Sequence, residues 1–532
     1  MGTLSHDRLQ IFRNRFAGSF MRLRRCKVMH CTCVVLIILF GVRLDEECGL
    51  LSTFAGAFGF GRSSKLSTEP PNVKLVTALS PKLIKADIMH PKFDADRPKE
   101  VGTVAAILRK SKLRVVSLPR GSKAWCPSLR LNNTGYPREP NPLSLAQTVN
   151  SKYAMKNMTW NVAMSDDLAA IAIEGIWWSG KHRPVPLTII TQASADRIPQ
   201  LYSQCKSWRG PLSAVLYISL FQDSIERGML TPANQETLRQ ASIAVTDLFA
   251  DVEKDEAACK LDVILAYEVY TEQRAMMLYP INALRNLARV QARTPLLALM
   301  DVDMLMSSKL YRDLVSNSSF AQKLQSGAAR RVAFVLPAFE TYGETYEAAA
   351  IADLLSSKDK SLLVESIRKH IAGPFDFKRF PQGHNCTRFN QWFISSQSYK
   401  IKYGARYEPW TIVDRMVAPW HDARFRGYGQ NKIVHIAHMN ATGFQFVVLS
   451  NAFIVHRAHQ HTTVRLQLVE SKTAYDMAVA AKQPVDKQNV YGHTKNLFDN
   501  AQRWMSLGVY KPVLDIATRH CQQKLSWWRL SS

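Results

Sequence analysis

Four apolar, β-rich runs alternate with helical patterns between residues 184 and 300, and the last of them runs into two aspartates. Residues 185–191 (VPLTIIT) predict a buried strand, 195–208 a helix and 213–220 (SAVLYISL) a second strand. Residues 232–252 read as a helix and 262–269 (DVILAYEV) as a third strand. Pro280 opens a helix over 280–293, in which Ile281, Leu284, Leu287 and Ala288 recur at helical spacing. Residues 295–300 (PLLALM) predict the fourth strand. Such alternation implies an α/β domain with a mostly parallel sheet covered on both faces. Ligands of such sheets bind beyond the carboxyl ends of the strands.

Asp301-Val302-Asp303 stands at that place. On an extended chain, side chains at i and i+2 point the same way. Two carboxylates held close repel, and a divalent cation relieves the repulsion. Mn²⁺ or Mg²⁺ would bind them together with the phosphates of a nucleotide. The bland reading is a solvated turn. The motif resembles the Asp-x-Asp arrangement of nucleotide-sugar glycosyltransferases with the GT-A (Rossmann-like) fold.

Longer blocks extend the resemblance. They are 191–211 (TQASADRIPQLYSQCKSWRGP), 279–285 (YPINALR), 336–341 (LPAFET), 383–392 (GHNCTRFNQW), 407–413 (YEPWTIV), 422–435 (DARFRGYGQNKIVH) and 446–456 (FVVLSNAFIVH). In this order, around the Asp-Val-Asp strand, they resemble glycosyltransferase family 49 over about 184–480. The first 180 residues show no counterpart of the extra catalytic domain of two-domain members, so the chain looks like the single-domain ones. The resemblance implies an inverting transferase, a UDP-sugar donor, Mn²⁺ and the Golgi. Known members transfer glucuronic acid to glycans. Met300 and Met304 around the motif, and Gln430 in place of an aromatic residue, depart from the family pattern and leave the donor sugar open.

From the family's pattern, Asp303 and Asp301 are expected as metal ligands, joined by His456, with His459 and His461 as alternatives. An inverting transfer needs one base for the acceptor hydroxyl. Asp422 is favoured, then Glu408, then Glu340; the bland reading of each is a capping or salt-bridged acid. Arg285 and Asn282 are expected to contact the donor, as is Asp301 through the metal. His384, Thr387 and Trp392 are expected on the acceptor side, since aromatic faces stack on sugar C–H surfaces, although Trp392 suits a core equally well.

The N-terminus adds a compartment. Seven basic residues against Asp7 occupy 1–27, an apolar run spans 28–42, and acids follow at Asp45, Glu46 and Glu47. Fifteen helical residues cover about 22 Å, short for a bilayer core of about 30 Å, so flanking Lys27 and Arg43 would have to snorkel. We expect a cytoplasmic tail (1–27), a type II signal anchor (28–42), a lumenal stem (43–180), the transferase domain (181–485) and a C-terminal helical extension (486–532). Residues 160–178 within the stem read as a helix. A cleaved signal peptide and a mitochondrial presequence are the rivals to the anchor. Five sequons, at Asn132, Asn157, Asn317, Asn385 and Asn440, accord with a secretory route. Beyond the membrane segment lie Cys126, Cys205, Cys259, Cys386 and Cys521, an odd set that leaves at least one without an internal partner.

The net charge of +26 raises nucleic acid as a partner. The basic residues are spread along the chain, with neither zinc-finger spacing nor an RNA-recognition signature, and a nucleic-acid role is not expected. Anionic UDP-sugars and glycans suit the same charge. The other function class left open is a catalytically silent, transferase-like protein that binds glycan or nucleotide. The oligomeric state is not legible.

Overall fold

In the computed structural model the described residues run from 171 to 528, apart from 223–229, 271–275, 277, 460–462, 487–488, 516–517, 520–521 and 523–524. The tail 1–27, the run 28–42 and the stem to residue 170 lie outside the described residues, with Cys126, Asn132 and Asn157; so do His461 and Cys521. Among the described residues no helix is long and apolar enough to cross a membrane.

The strands are β1 (Ala172–Trp177), β2 (Leu187–Ser194), β3 (Pro211–Phe221), β4 (Lys260–Tyr270), β5 (Leu296–Leu299), β6 (Met304–Met306), β7 (Val332–Leu336), β8 (Ala338–Thr341), β9 (Ala372–Pro374), β10 (Tyr399–Ile401), β11 (Trp410–Asp414), β12 (Gln445–Val448) and β13 (Ile454–His456). Nine of them form one sheet in the order β1-β4-β3-β2-β5-β11-β7-β12-β10. The four strands expected from the sequence, β2 to β5, make a contiguous parallel block. Their apolar runs are buried on both faces, as a helix-covered sheet requires.

Beyond β5 the expectation of a mostly parallel sheet needs correction. β11 enters between β5 and β7 antiparallel to both, and β1 and β10 close the two edges antiparallel. The sheet is mixed. A second correction concerns 160–178: its last part is strand β1, not helix. Ile171, Ala172, Ile173 and Trp177 bury against β4, and pairing with that strand wins over the helical pattern.

A smaller sheet, β6-β13-β8-β9, continues from the ends of the large one. In it His456 pairs across to Met304 on one side and to Glu340 on the other. This register puts His456 between Glu340 and Met304, the residue after Asp303.

The helix Ile281–Gln291 is buried from Asn282 to its end. Three of its polar side chains, Asn282, Asn286 and Arg289, bond the main chain of one loop over residues 415–422. Asn286 exchanges side-chain bonds with the main chain of His421, and Arg289 donates to the carbonyls of Arg415, Ala418 and Pro419. A buried polar side chain with fixed partners sets the loop's position. The C-terminal part locks the same region. Trp527 and Trp528 both donate their indole N–H to the Val290 carbonyl. The helix Val490–Ser506 adds Leu497, Phe498 and Ala501 to a cluster with Phe425, Ile433 and Val434. Val490, Leu497, Phe498, Ala501, Tyr510, Leu525 and Trp528 therefore extend the buried clusters on this side of the domain.

Cys205, on the helix Ile198–Trp208, is joined to Cys259 at the start of β4, while Cys386 is free and half-buried. The bridge closes a segment of 54 residues. Removing it as Cys205→Ser/Cys259→Ser should lower stability by about 2–4 kcal/mol. Denaturant midpoints of the two proteins check this, and equal midpoints would contradict it.

Candidate functional site

Asp301 and Asp303 do not project together from an extended strand. The chain turns between β5 and β6, and the Met304 N–H closes the turn on the Asp301 carbonyl at 3.0 Å. Buried Gln204 fixes it from below, donating to the carbonyls of Asp301 (2.8 Å) and Met304 (3.0 Å). The turn sends the two carboxylates to different partners, which corrects the i, i+2 expectation.

Asp303 meets two histidines. Its Oδ2 lies 2.8 Å from His459 Nε2 and 3.8 Å from His456 Nε2. The three ligand-type atoms all lie within 4.8 Å of one another. The Arg457 N–H holds the Asp303 carbonyl at 2.8 Å, tying the histidine loop to the turn. Burial alone would raise the Asp303 carboxyl. The hydrogen bonds and charge of the two histidines outweigh it and hold the group well below the usual carboxylate range. One carboxylate oxygen and two imidazole nitrogens, part-exposed, make a donor set that fits a divalent transition ion such as Mn²⁺ better than oxygen-seeking Mg²⁺.

Asp301 belongs to a cationic group. Lys432 Nζ approaches its Oδ2 at 2.8 Å and Arg285 Nη2 its Oδ1 at 3.2 Å, while the Trp410 indole donates to Oδ2 at 3.1 Å. Burial pushes this carboxyl up too, but Lys432 and Arg285 prevail and lower it. Lys432 lies 3.8 Å from the centre of the Trp410 ring. Sequence reasoning missed Lys432. No motif marks it; the structure places it at the start of the helix Asn431–Ala441, after the turn in which Gly427, Gly429 and Gln430 all take left-handed φ.

Two acids stand beside these groups. Glu408 is a quarter exposed, and Lys432 Nζ comes to 3.9 Å. Burial raises its carboxyl; Lys432 opposes and Asp301 adds to the rise, with a net shift upward. Among the described residues no hydrogen bond ties its side-chain oxygens. Glu340 is also raised by burial, against a hydrogen bond from the Asp376 main chain.

The other expected residues are placed differently. Asp422 is buried and fully engaged. Arg424 spans both its oxygens, the Tyr510 hydroxyl donates at 2.7 Å, and the Val513 N–H at 3.3 Å. The bland reading of a salt-bridged structural acid replaces that of a free base. Asn282 donates to the Asp422 carbonyl at 2.9 Å and accepts from Arg285 at 3.0 Å. Both Asn282 and Arg285 are buried, and their contacts hold Asp301 and the 422 loop. Trp392 is a core residue, wholly buried against Phe339 and Phe453, with its N–H on the Leu449 carbonyl. Thr387 is buried against the Tyr407 hydroxyl at 2.9 Å. His384 stacks on Trp410 and is 3% exposed; burial, with Lys432 and Arg379 nearby, lowers its pKa to about 3. All three acceptor-side expectations fall on packed residues.

The chain is similar in sequence to known proteins. Xylosyl- and glucuronyltransferase LARGE2 of Rattus norvegicus is 33% identical over 303 residues, 57% of this chain and 38% of that protein. LARGE2 of Homo sapiens is 32% identical over 302 residues, covering 56% and 36%, and LARGE1 of Danio rerio 33% over 275 residues, covering 51% and 31%. The chain thus spans well under half the length of these curated relatives. Among solved structures, S. aureus TarS 1–349 is similar at 11% identity and a TM-score of 0.25, covering 64% of this chain and 81% of that one. So slight a likeness adds nothing to the fold read from the strands. The family described as glycosyl-transferase for dystroglycan matches residues 186–488, a span that takes in the Asp303 turn, both raised glutamates and the histidine loop. More than half of the chain lies within that match, and the chain belongs to glycosyltransferase family 49.

Proposed function

We propose that this chain is an inverting, metal-dependent glycosyltransferase of the GT-A type that moves a sugar from a UDP-sugar to a glycan hydroxyl. Glucuronic acid is the sugar we propose, in keeping with the names of its relatives. The observation that carries the reading is the convergence of Asp303, His456 and His459 just beyond the carboxyl end of β5, where α/β sheets take their ligands.

Asp303, His456 and His459 would hold Mn²⁺. When bound, that ion supplies positive charge to the diphosphate that leaves. Lys432 and Arg285 keep Asp301 ionised beside it and contribute positive potential to the same end of the sheet. Glu408 is the base in this reading. It carries no tying hydrogen bond, and burial raises its carboxyl above the ordinary value, the direction that favours proton uptake. The acceptor oxygen forms its bond to the anomeric carbon, the bond from that carbon to the diphosphate oxygen breaks, and the hydroxyl proton passes to Glu408. Attack opposite the leaving group inverts the centre.

The Cys205–Cys259 bridge supports a lumenal catalytic domain, since such bonds persist in oxidising compartments. We therefore propose a Golgi type II membrane protein: a cytoplasmic tail over 1–27, an anchor over 28–42 and a stem that ends before β1.

The test is the full chain expressed through a secretory pathway and supplied with Mn²⁺ and a panel of UDP-sugars, with and without simple glycosides, while UDP release is recorded. Release with UDP-glucuronic acid that rises with acceptor is the expected result. Release with another donor would keep the transferase and move the sugar. UDP binding without release from any donor would overturn the reading in favour of a silent binding protein.

A further inference from the structure

With His384, Thr387 and Trp392 buried, the aromatic surface for a sugar has to be sought elsewhere. Three large aromatic side chains stay open to solvent beside the two raised acids: Tyr342 (39% exposed), Phe377 (37%) and Tyr428 (46%). Each lies on a segment that borders Glu340 or Glu408, and the loop from Asp376 to Gly383 joins the two acids through main-chain bonds to Phe380 and Glu408. Tyr342 lies two residues after Glu340 and continues the pairing beyond β8, its N–H on the Ile371 carbonyl; its hydroxyl is close enough to feel the Glu340 charge. Phe377 sits in the loop after β9 between Asp376 and Arg379, which are paired at 2.7 Å. That loop also gives Glu340 a main-chain hydrogen bond. Tyr428 sits in the turn that leads into Lys432, whose Nζ stands 2.8 Å from Asp301 and 3.9 Å from Glu408.

Local backbone explains why these rings are open. Tyr428 is flanked by Gly427 and Gly429, at φ 73° and 99°, conformations that glycine adopts freely. Gly373 lies under Tyr342: a Cβ there would stand 2.1 Å from the Tyr342 hydroxyl. The chain keeps glycine at the position that lets this ring lie across β9.

Resting on the transferase reading, we propose that Tyr428 and Tyr342 form the acceptor subsite, binding a pyranose by its C–H face beside Glu408 and Glu340. Exposed tyrosines offer a large apolar face at low entropic cost, and a sugar presents a matching C–H face with hydroxyls at its rim. Arg379 and Asp376 supply polar partners for those hydroxyls. The Glu408 carboxylate then receives the proton of the hydroxyl nearest it.

The test does not depend on turnover. Saturation-transfer NMR of the full chain with a panel of methyl pyranosides reads which ring protons touch aromatic side chains. Transfer to the C–H face is expected with the wild type, loss with Tyr428→Ala and with Tyr342→Ala, and retention with Tyr428→Phe. Gly373→Ala, which displaces Tyr342 without removing it, should weaken transfer as well. Where turnover is measured, each Ala variant should raise the acceptor KM about tenfold. No transfer from the wild type, equal transfer from the Ala variants, or a raised donor KM with an unchanged acceptor KM would each overturn the proposal. UDP release by the wild type judges the transferase reading separately, so the two can fail independently.

Discussion

Asp303→Ala should abolish sugar transfer while leaving a folded protein. The variant loses the one carboxylate of the Asp303, His456, His459 cluster. A cation that neutralises a leaving diphosphate contributes several kcal/mol at the transition state, so turnover should fall by about 10³ or more. The main-chain bonds of the turn, Met304 N–H to Asp301 and Arg457 N–H to Asp303, need no side chain at 303 and persist. Asp301→Ala should behave differently. It strands Lys432 and Arg285, whose side chains are 8% and 2% exposed, as two buried cations without their carboxylate. Removing one partner of a buried pair costs about 3–5 kcal/mol. Activity and thermal midpoint measured together separate the two: Asp303→Ala loses the first, Asp301→Ala loses both. A Mn²⁺-dependent Asp303→Ala variant of near-normal rate would contradict the assignment.

The second large effect separates the acids. Glu408→Gln should lower kcat by roughly 10²–10⁴ with donor binding retained, as expected for loss of a general base. It should also be at least as stable as the wild type. The Glu408 carboxyl is raised above its ordinary 4.5, so ionising it costs folding free energy. That cost builds as pH rises from the unfolded value to the folded one and is fully present above both. Glutamine removes it. The acid limb of kcat/KM should accordingly fall as pH drops through a value above 4.5, and the limb should vanish in Glu408→Gln. Asp422→Asn gives the opposite profile: breaking its contacts with Arg424, Tyr510 and Val513 should destabilise the chain by about 3–5 kcal/mol. If Asp422→Asn kept its stability and lost turnover at constant KM, the roles assigned to the two acids would be reversed.

How much of this was legible in the sequence depended on range. The parallel block β2 to β5 is written in apolar runs of strand length separated by helical patterns, and local patterning sufficed to read it. The antiparallel entry of β11 was not, because 410–414 is as apolar as its neighbours and direction is set by where the chain has come from. The Asp301–Asp303 pair was visible as a motif, but its division between Lys432 and the histidines depends on a turn held by Gln204, about a hundred residues away. Asp422 looks like an available carboxylate next to glycines; only the Tyr510 hydroxyl and Val513 N–H, about ninety residues on, reveal it as a clamp. Trp392 and His384 illustrate the limit of residue type as a guide. An aromatic ring suits a sugar and a core equally well, and Phe339, Phe453 and Trp410 decide for the core. Lys432 escaped notice because a lone lysine carries no motif; its meaning comes from the carboxylate and indole it meets.

The most direct test is UDP release from UDP-glucuronic acid, followed against Mn²⁺ concentration after chelation, in the wild type and in His459→Ala side by side. The account predicts no release without metal and saturable recovery in the wild type. For His459→Ala it predicts a curve displaced to higher Mn²⁺ by at least about tenfold, the loss of one ligand from three. Release that survives full chelation, or identical curves for the two proteins, would contradict it.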